Sequence, residues 1–376
     1  MTGEPKQTRA GRALAFARGH AVLLISLVLA LASFALTPPS AATPGMVDGR
    51  VLLLLFCLMA VVAGLQEEGV LAAAAARLLT RVRSARQLRL ALTYLCFFAS
   101  MVLTNDVALV TFVPFTLLVC QRAGAAEGEI IRLVVLETVA ANLGSMLTPL
   151  GNPQNLYLYS LSGLSAGQFI RLMLAPTLWS LLLLTLCCLA GRRRPLPPPA
   201  VEGAGVSSPR RVLAWLGLGA VALAAVGRVV PAPAAGIVVL VGALLLSPRV
   251  LRRVDWSLLA TFVFFFVFIG NVGAVPGVAR ALPRLLHGRE EIVAAAVSQV
   301  VSNVPAAMLL APFSSDLPAL IRGVNIGGLG TLIASMASLI SYQYYARRPD
   351  ARRGRYLLVF TGLNALFLTL LLVLPG

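Results

Sequence analysis

The sequence predicts an all-α, polytopic membrane protein built from two inverted repeats, and three observations lead to this prediction. Hydrophobic residues make up 59% of the chain and charged residues 12%, against roughly 45–50% and about 25% in soluble domains. A soluble chain of 376 residues could not bury that much apolar surface, whereas about ten membrane spans of about 20 residues would use it. Arginine clusters between the apolar runs and a twofold repeat of short polar motifs are the other two observations.

The basic charge indicates membrane topology rather than a nucleic-acid partner. Lys and Arg number 31 and Asp and Glu 14, which gives a net charge of +17. The arginines form short clusters between apolar runs, as in the cytoplasmic loops of membrane proteins, and aromatic residues do not interleave them. The five cysteines form no C-x-x-C pair and the two histidines stand apart, so neither a disulfide framework nor a metal site is predicted.

Residues 1–50 are predicted to hold an N-terminal segment and the first transmembrane helix, with an apolar run over 21–36. A basic segment before a short apolar run is also typical of a cleaved signal peptide, and small residues at 40–42 would suit cleavage. Because many further spans follow, we expect the segment to be retained, with the N-terminus in the cytoplasm.

The rest of the chain divides into two repeats, a linker and a final helix. Residues 51–190 form the first repeat, with a re-entrant hairpin at 88–120 and a broken helix at 130–160. A Pro-rich cytoplasmic linker covers 191–210. The second repeat covers 211–345, with a hairpin at 291–313 and a broken helix at 318–345. A C-terminal transmembrane helix occupies 346–376.

The arginines support this topology. When both hairpins re-enter the membrane, the clusters within 77–89, 192–194, 249–253 and 347–355 all fall on the cytoplasmic side, as the positive-inside rule requires. Arg280, Arg284 and Arg289 are the exceptions, because they fall outside, beside Glu290 and Glu291.

A first polar motif marks each hairpin. Thr104-Asn105 in the first half corresponds to Ser302-Asn303 in the second, and a Pro-Phe pair follows each asparagine at the same offset. Under the arginine topology the two copies enter the membrane from opposite faces, which makes the repeat inverted. Inverted repeats of transporters place substrate and ion sites near the bilayer midplane.

A second motif marks each broken helix, and it consists of an asparagine, a glycine and a threonine at the same offsets in both halves. Glycine permits unwound backbone, and unwound backbone at membrane depth exposes carbonyls for a cation and helix N-termini for an anion. Packing is the alternative use of such small residues. The motif residues are Asn142, Gly144 and Thr148, and Asn325, Gly327 and Thr331.

Carboxyl groups within the spans are few, and such groups are usually functional. Asp106 directly follows the first hairpin asparagine and is our candidate cation or proton partner, with helix capping as the structural alternative. Glu67 and Glu68 stand between glycines and indicate a helix break. Glu137 precedes the first break by about one turn, and its role stays open.

Four segments resemble the citrate-permease type branch of the ion transporter superfamily. They are LTNDVALVTFVPFTLLV (103–119), NLGSMLTPLGNPQNLYLY (142–159), SNVPAAMLLAPF (302–313) and the glycine-threonine run 327–331. The branch includes divalent-anion/sodium symporters, arsenite permeases and some sodium/proton antiporters. The resemblance covers about 51–345 and implies two inverted repeats, each with a re-entrant hairpin and an unwound helix, a homodimer and elevator-like alternating access.

The resemblance also implies two half-sites, one from each hairpin tip and broken helix. Its dicarboxylate symporters carry Ser-Asn-Thr at both tips, whereas the third residue here is Asp106 in one and Val304 in the other. That departure leaves room for proton coupling or a non-carboxylate substrate. Na⁺ as the coupling ion would use Thr104, Asn105, Gly144, Ser302, Asn303 and Gly327. The full set of expected binding residues is Thr104, Asn105, Asp106, Asn142, Gly144, Ser145, Thr148, Asn152, Ser302, Asn303, Asn325, Gly327, Gly328 and Thr331.

The predicted function is secondary active transport across the bacterial inner membrane. The expected substrate is a small anion, namely citrate, another di- or tricarboxylate, or an inorganic oxyanion, moved with Na⁺ or H⁺ and with no resident cofactor. A sodium/proton antiporter using Asp106 is the open alternative. An intramembrane enzyme would need a nucleophile–base pair or paired aspartates, which the spans lack. A passive channel would not need two inverted broken-helix sites.

Overall fold

The computed structural model describes residues 21–41, 43–190 and 205–374, and these are helical with connecting turns and no strand. The predicted all-α fold is confirmed. The 1–20 segment and residues 191–204 of the predicted linker lie outside the described residues. The helices are α1 (Ala21–Ser33), α2 (Gly49–Glu67), α3 (Val70–Leu79), α4 (Ala85–Ala99), α5 (Asn105–Arg122), α6 (Glu127–Ser145), α7 (Pro153–Ser162), α8 (Ala166–Leu189), α9 (Pro209–Val226), α10 (Ala232–Leu246), α11 (Trp256–Gly273), α12 (Pro276–Leu286), α13 (Glu290–Val301), α14 (Asn303–Leu310), α15 (Leu317–Ile326), α16 (Met336–Ala346) and α17 (Arg353–Val373).

The first predicted hairpin consists of α4 and α5, separated by a turn at 100–104. Ser84 caps α4 and Thr104 caps α5, because each side chain accepts a hydrogen bond from a backbone amide three residues later. These caps satisfy helix-terminal donors. Helix α6 then ends at Ser145, and the chain is non-helical until Asn152 caps α7 through the amide of Asn155. The first broken helix is therefore α6, a short break and α7.

The second repeat has the same plan with tighter geometry at the hairpin tip. Helices α13 and α14 meet at Ser302, and α15 and α16 are separated by the non-helical segment 327–335. Ser302 has a φ of +75°, a backbone region that non-glycine residues rarely adopt. Such conformations cluster at ligand sites, where the surrounding structure holds them in place. The second tip is thus strained, whereas Thr104 at the first tip has a φ of −73°.

The two repeats are interlocked. Helix α5 of the first hairpin packs against α16 of the second repeat, and α14 of the second hairpin packs against α7 of the first. Each hairpin also contacts the broken helix of its own repeat, α4 against α6 and α13 against α15. The hairpins and broken helices form one unit, which we call the core unit (α4–α7 and α13–α16).

Helices α2, α9 and α10 pack against one another and form a separate group, which we call the scaffold. Trp215 of α9 is fully buried, and its ring lies so close to Gly64 that a Cβ atom there would be 2.3 Å away. At one end of this group, Arg211 of α9 pairs with the buried Glu68, with 3.3 Å between Nη1 and Oε1. Glu67 accepts a hydrogen bond from Ser247. The glutamates thus end α2 and tie it to α9 and α10, in line with the predicted helix break.

Two basic clusters meet at one end of the core unit. Arg89 at the start of α4 pairs with Glu129, and Arg348 after α16 pairs with Glu127, with 2.9 Å between Nη2 and Oε2. Both glutamates belong to the first turn of α6. The predicted topology, which puts these clusters on a common face, agrees with this arrangement.

The surface and helix lengths fit a membrane protein. Large apolar side chains point outward along α8, α9, α10 and α17, which is unfavourable in water and suits lipid. Among the described residues, five helices are long and apolar enough to cross a membrane, namely α2, α8, α9, α11 and α17. The exceptional arginines Arg280 and Arg284 lie on the short amphipathic helix α12, a type of helix that can lie in the membrane interface.

Candidate functional site

Each hairpin tip is bound to the break of its own repeat by one backbone hydrogen bond. The amide of Asn105 donates to the carbonyl of Gly151 at 3.0 Å, and the amide of Asn303 donates to that of Ala334 at 2.9 Å. Gly151 and Ala334 are equivalent positions, because they are as far apart along the chain as the two copies of the broken-helix motif. Both tip asparagines are buried. The repeat found in the sequence is therefore a repeat of contacts as well.

The threonines of the two motifs form a second matched pair of contacts. Thr148 donates its hydroxyl to the carbonyl of Met101 at 2.5 Å, and Thr331 donates to that of Gln299 at 2.9 Å. Met101 and Gln299 each lie four residues before a tip asparagine. Each hydroxyl thus bonds the broken helix of its repeat to the first arm of the hairpin. Because both hydroxyl hydrogens are used in these bonds, neither can be donated to a ligand.

Asn142 of α6 links the first repeat to the second. Its Oδ1 atom accepts hydrogen bonds from Ser335 at 2.9 Å and from the Asn105 amide group at 3.0 Å. Its Nδ2 atom donates to Ser338 at 3.1 Å. Ser335 and Ser338 belong to the start of α16, so the first hairpin tip is connected to the second broken helix through a single amide.

Asn325 of α15 makes the reciprocal connection. Its Oδ1 accepts from Asn152 at 3.1 Å, and its Nδ2 donates to Asn155 at 2.6 Å and to the Ile321 carbonyl at 2.8 Å. Asn152 and Asn155 are the first-repeat equivalents of Ser335 and Ser338 in the spacing of the broken-helix motif. The two connections, which we call the amide network, consist of Asn142, Ser335, Ser338, Asn325, Asn152 and Asn155, all of which are buried.

Two residues that sequence reasoning missed satisfy the carbonyls of the breaks. In the first repeat, Asn155 also donates to the carbonyls of Ser145, Met146 and Thr148 at 3.1 to 3.4 Å. Because a buried carbonyl without a partner is costly, this amide stabilises the unwound segment.

In the second repeat, Gln299 has the same task. Its Nε2 donates to the carbonyls of Gly327 at 2.8 Å and Leu329 at 2.9 Å, and its Oε1 accepts from the amide of Thr331 at 2.9 Å. The Gly144 carbonyl likewise accepts hydrogen bonds within its own turn. The glycine carbonyls expected to bind Na⁺ are thus already hydrogen-bonded, and the hairpin-tip side chains are the remaining oxygens of that predicted set.

Both motif glycines allow close packing of a broken helix on its hairpin. A Cβ atom on Gly144 would lie 2.0 Å from the carbonyl oxygen of Phe97, and one on Gly327 would lie 2.7 Å from Cα of Ala295. Phe97 and Ala295 are as far apart along the chain as the two tip asparagines, so they too are equivalent. Gly328 is close to Asn303, whose Nδ2 would lie 2.8 Å from an added Cβ.

Gly144→Ala is expected to reduce the amount of folded protein sharply, since the methyl group would meet backbone rather than a flexible side chain. Overpacking of this kind costs about 1–3 kcal/mol or more. Thermal stability of the purified variant in detergent measures the effect. Gly217→Ala in α9 is the matched control, because nothing lies within 4 Å of its added Cβ. Equal stability of the two variants would contradict the packing role.

A cavity of about 90 Å³ lies between the scaffold and the first hairpin tip. Thr104, Asp106 and Asn152 line it from the core unit. Gln66 of α2 and two charged residues before α11, Arg253 and Asp255, line it as well, and apolar residues of α2 and α7 complete the wall. Asp106 thus shares a cavity with one arginine and a second carboxylate, which sequence reasoning had not placed there.

The predicted site residues therefore have four kinds of surroundings. Thr104 and Asp106 face the cavity. Asn105, Asn142, Ser145 and Asn325 belong to or adjoin the buried amide network, and Asn152 both belongs to that network and faces the cavity. The motif glycines and the threonines Thr148 and Thr331 hold broken helices against hairpins. Ser302 and Asn303 form the second hairpin tip, beside Ala334. Ser302 bonds weakly to the Ala334 carbonyl at 3.4 Å. Among the described residues, no group of three or more His, Cys, Asp or Glu side chains could hold a metal ion.

Comparison with known proteins places this arrangement in a family. The family described as "Citrate transporter" matches residues 13–337. The inner membrane protein YbiR of Escherichia coli is 33% identical over 337 residues, which are 85% of this chain and 86% of that protein. The uncharacterized transporter MJ0456 of Methanocaldococcus jannaschii is 30% identical over 287 residues, covering 74% and 76% of the two chains.

A solved structure has a similar fold. The YdaH transporter of Alcanivorax borkumensis superposes with a TM-score of 0.55 over 99% of this chain and 89% of its own, at 16% sequence identity. At that identity the similarity concerns the fold alone. It agrees with the all-helical architecture described above.

Proposed function

The chain belongs to the citrate transporter family, and from that premise we propose that it moves citrate or a related small anion across the cytoplasmic membrane, coupled to Na⁺ or H⁺. That it is a membrane transporter and not an enzyme follows from its family and relatives. The related anions are other di- and tricarboxylates and inorganic oxyanions. The N-terminus is proposed to be cytoplasmic, and two copies of the chain are proposed to form a homodimer.

The amide network is the observation that carries this proposal. It joins the first hairpin tip and the breaks of both repeats through neutral, buried amide and hydroxyl groups. Because Asn142 bonds to the second break and Asn325 bonds to the first, the two repeats support one common site rather than two separate ones. Neutral amides and hydroxyls suit carboxylate or oxyanion groups and a weakly held cation, which a transporter must also release.

The cavity supports a mechanism of alternating access. It lies where the core unit meets the scaffold, and Asp106 and Gln66 both line it. We propose that the anion and its cation bind beside the first hairpin tip and that the core unit then moves against α2, α9 and α10. The guanidinium group of Arg253 would attract the anion to this entrance, and Asp106 would favour the cation.

Uptake into proteoliposomes tests the proposed function. Labelled citrate is expected to enter in a saturable way when an inward Na⁺ or H⁺ gradient is applied, and unlabelled substrate inside should exchange with it when no gradient is present. Succinate, sulfate and arsenite serve as competitors that define the anion class. Absence of uptake and of exchange for every one of these anions would overturn the proposal.

The sodium/proton antiporter stays as the second candidate because Asp106 faces the cavity from the hairpin tip. An antiporter would exchange Na⁺ for H⁺ with no anion present and would lose that exchange in Asp106→Asn. The anion symporter would show ion movement only when its anion is added. Fluorescent pH measurement inside the vesicles separates the two.

A further inference from the structure

Glu137 is a buried carboxyl group that the proposed transport site does not use. It lies in the middle of α6 with its side chain fully buried. Its Oε1 atom accepts a hydrogen bond from Thr116 of α5 at 2.5 Å, and its Oε2 atom has no hydrogen-bond partner among the described residues. An ionised carboxylate in such a place would be costly unless it were paired. The burial and the missing partner therefore favour the protonated form of this carboxyl.

The titratable groups that interact electrostatically with Glu137 supply no positive charge. They are the thiols of Cys96 on α4 and Cys120 on α5 and the phenol of Tyr356 on α17. Thiols and phenols are neutral near pH 7, and none of the ion pairs among the described residues includes Glu137. Of the groups gathered here, only this carboxyl can change its charge within the ordinary pH range.

Hydroxyl groups connect the next residue of α6 with the basic end of the core unit. Thr138 and Ser341 of α16 share a hydrogen bond of 2.5 Å, and Ser341 lies 3.4 Å from the hydroxyl of Tyr356. The ring of Tyr345 stacks on that of Tyr356 with centroids 4.7 Å apart, and its hydroxyl donates to Glu127. These hydroxyls and stacked rings lie between the first turn of α6 and its middle, and among the described residues no hydrogen bond joins them to the carboxyl of Glu137.

The position of Glu137 also couples it to the transport site. It lies on the same helix as Asn142, five residues earlier, and its hydrogen-bond partner belongs to the first hairpin. Helix α6 packs against both arms of that hairpin and against α16. Any movement that separates α5 from α6 would remove the Thr116 hydrogen bond and change the surroundings of the carboxyl. The same movement would disturb the amide network.

We propose that Glu137 is the proton-carrying group of the transport cycle. The carboxyl is protonated while the core unit holds its anion. On the other side the O–H bond breaks, the proton passes to water, and the carboxylate is protonated again from the original side. One proton crosses with each anion, and the carboxyl returns to its starting state. This inference rests on the proposed anion transport and takes the H⁺ alternative of that proposal, with the proton carried by Glu137 instead of being bound beside Asp106.

The test compares gradient-driven uptake with exchange in proteoliposomes whose membrane potential is clamped with K⁺ and valinomycin. For wild type, one pH unit, acid outside, should raise citrate accumulation about tenfold if one proton accompanies each anion. Glu137→Gln keeps a neutral side chain of the same shape. It is expected to retain citrate exchange within about twofold of wild type while the pH gradient no longer raises accumulation.

Glu67→Gln is the control, because that carboxyl bonds to Ser247 of the scaffold and lies away from the hairpins; it should keep the roughly tenfold response. An unchanged pH-gradient response in Glu137→Gln would overturn the proposal, as would loss of exchange together with uptake in a folded variant.

Thr116→Val provides an independent measurement if Glu137→Gln fails to fold. Among the described residues the Thr116 hydroxyl is the hydrogen-bond partner of the Glu137 carboxyl, so its loss should change the pH dependence of citrate uptake while citrate exchange persists; an unchanged pH dependence contradicts the proposal. Different results would overturn the two proposals. Absence of citrate exchange in wild type would overturn the proposed anion transport. Citrate exchange without any pH-driven accumulation would overturn only the proposed role of Glu137.

Discussion

Replacing Asn325 with alanine is expected to abolish anion uptake, and Asn142→Ala is expected to do the same. Each side chain joins two repeats by accepting and donating at once. Its removal leaves buried polar groups without the bond that they make to it, and each group left unpaired costs about 1–3 kcal/mol. The loss would therefore disconnect the broken helix of one repeat from the break of the other. Uptake of labelled citrate and a melting curve of the purified protein measure the two consequences.

Asn364→Ala is the matched control for these variants. Asn364 is a fully buried asparagine of α17, and its amide donates to the Phe360 carbonyl within its own helix at 2.8 Å. Because it belongs to neither motif, the variant should transport like wild type. Similar loss of uptake in Asn364→Ala would show that removing any buried amide side chain abolishes uptake, which contradicts a special role for the amide network.

The hairpin-tip variants Asn105→Ala and Asn303→Ala are expected to abolish uptake while the protein still inserts and folds. Asn105 connects the first tip to Asn142 at 3.0 Å, and Asn303 packs its amide beside Gly328. Both backbone amides keep their hydrogen bonds to the breaks in an alanine variant. The tips should therefore stay in place but lose the side chains that the sequence predicts to bind substrate or ion.

Membrane fractionation and size-exclusion profiles establish that the tip variants are folded, and uptake assays then report on the site. The further substitution Asn105→Asp keeps the acceptor and removes the donor to Asn142, so it should fall between alanine and wild type. Full uptake by both alanine variants would remove the hairpin tips from the proposed site.

The sequence allowed much of the fold to be predicted, because long apolar runs and clustered arginines constrain a membrane chain strongly. The two repeat spacings reappear in the contacts, one in the pair Met101 and Gln299 and the other in the pair Gly151 and Ala334. Interruptions by glycine and proline also indicated where α6 and α15 end, since backbone at membrane depth is broken only where other groups satisfy it.

The partners of the broken helices could not be predicted in the same way. Asn155 and Gln299 satisfy the exposed carbonyls, but a hydrogen bond between distant residues depends on how helices cross, which spacing along one chain does not specify. One signal was present. Gln299 is a lone amide in an otherwise apolar helix end, and such a residue usually bonds to another helix.

For the motif glycines, the sequence allowed two interpretations. A glycine in a broken helix fits both an ion site and a close helix contact, and composition does not separate the two. In the structure Gly144 and Gly327 serve the close helix contact, because an added Cβ atom would collide with the backbone of α4 or α13. The cavity residues Arg253 and Asp255 lay outside both motifs, so no repeat argument could have found them.

Charge movement on a solid-supported membrane tests the central claim most directly. Citrate, succinate, sulfate and arsenite are each added in a rapid jump to proteoliposomes, first under a Na⁺ gradient and then under a pH gradient. The account predicts a saturable current for one anion class that requires one of the two cations and disappears in Asn325→Ala. A response to the ion gradients with no anion present, or an anion current that never saturates, would contradict it.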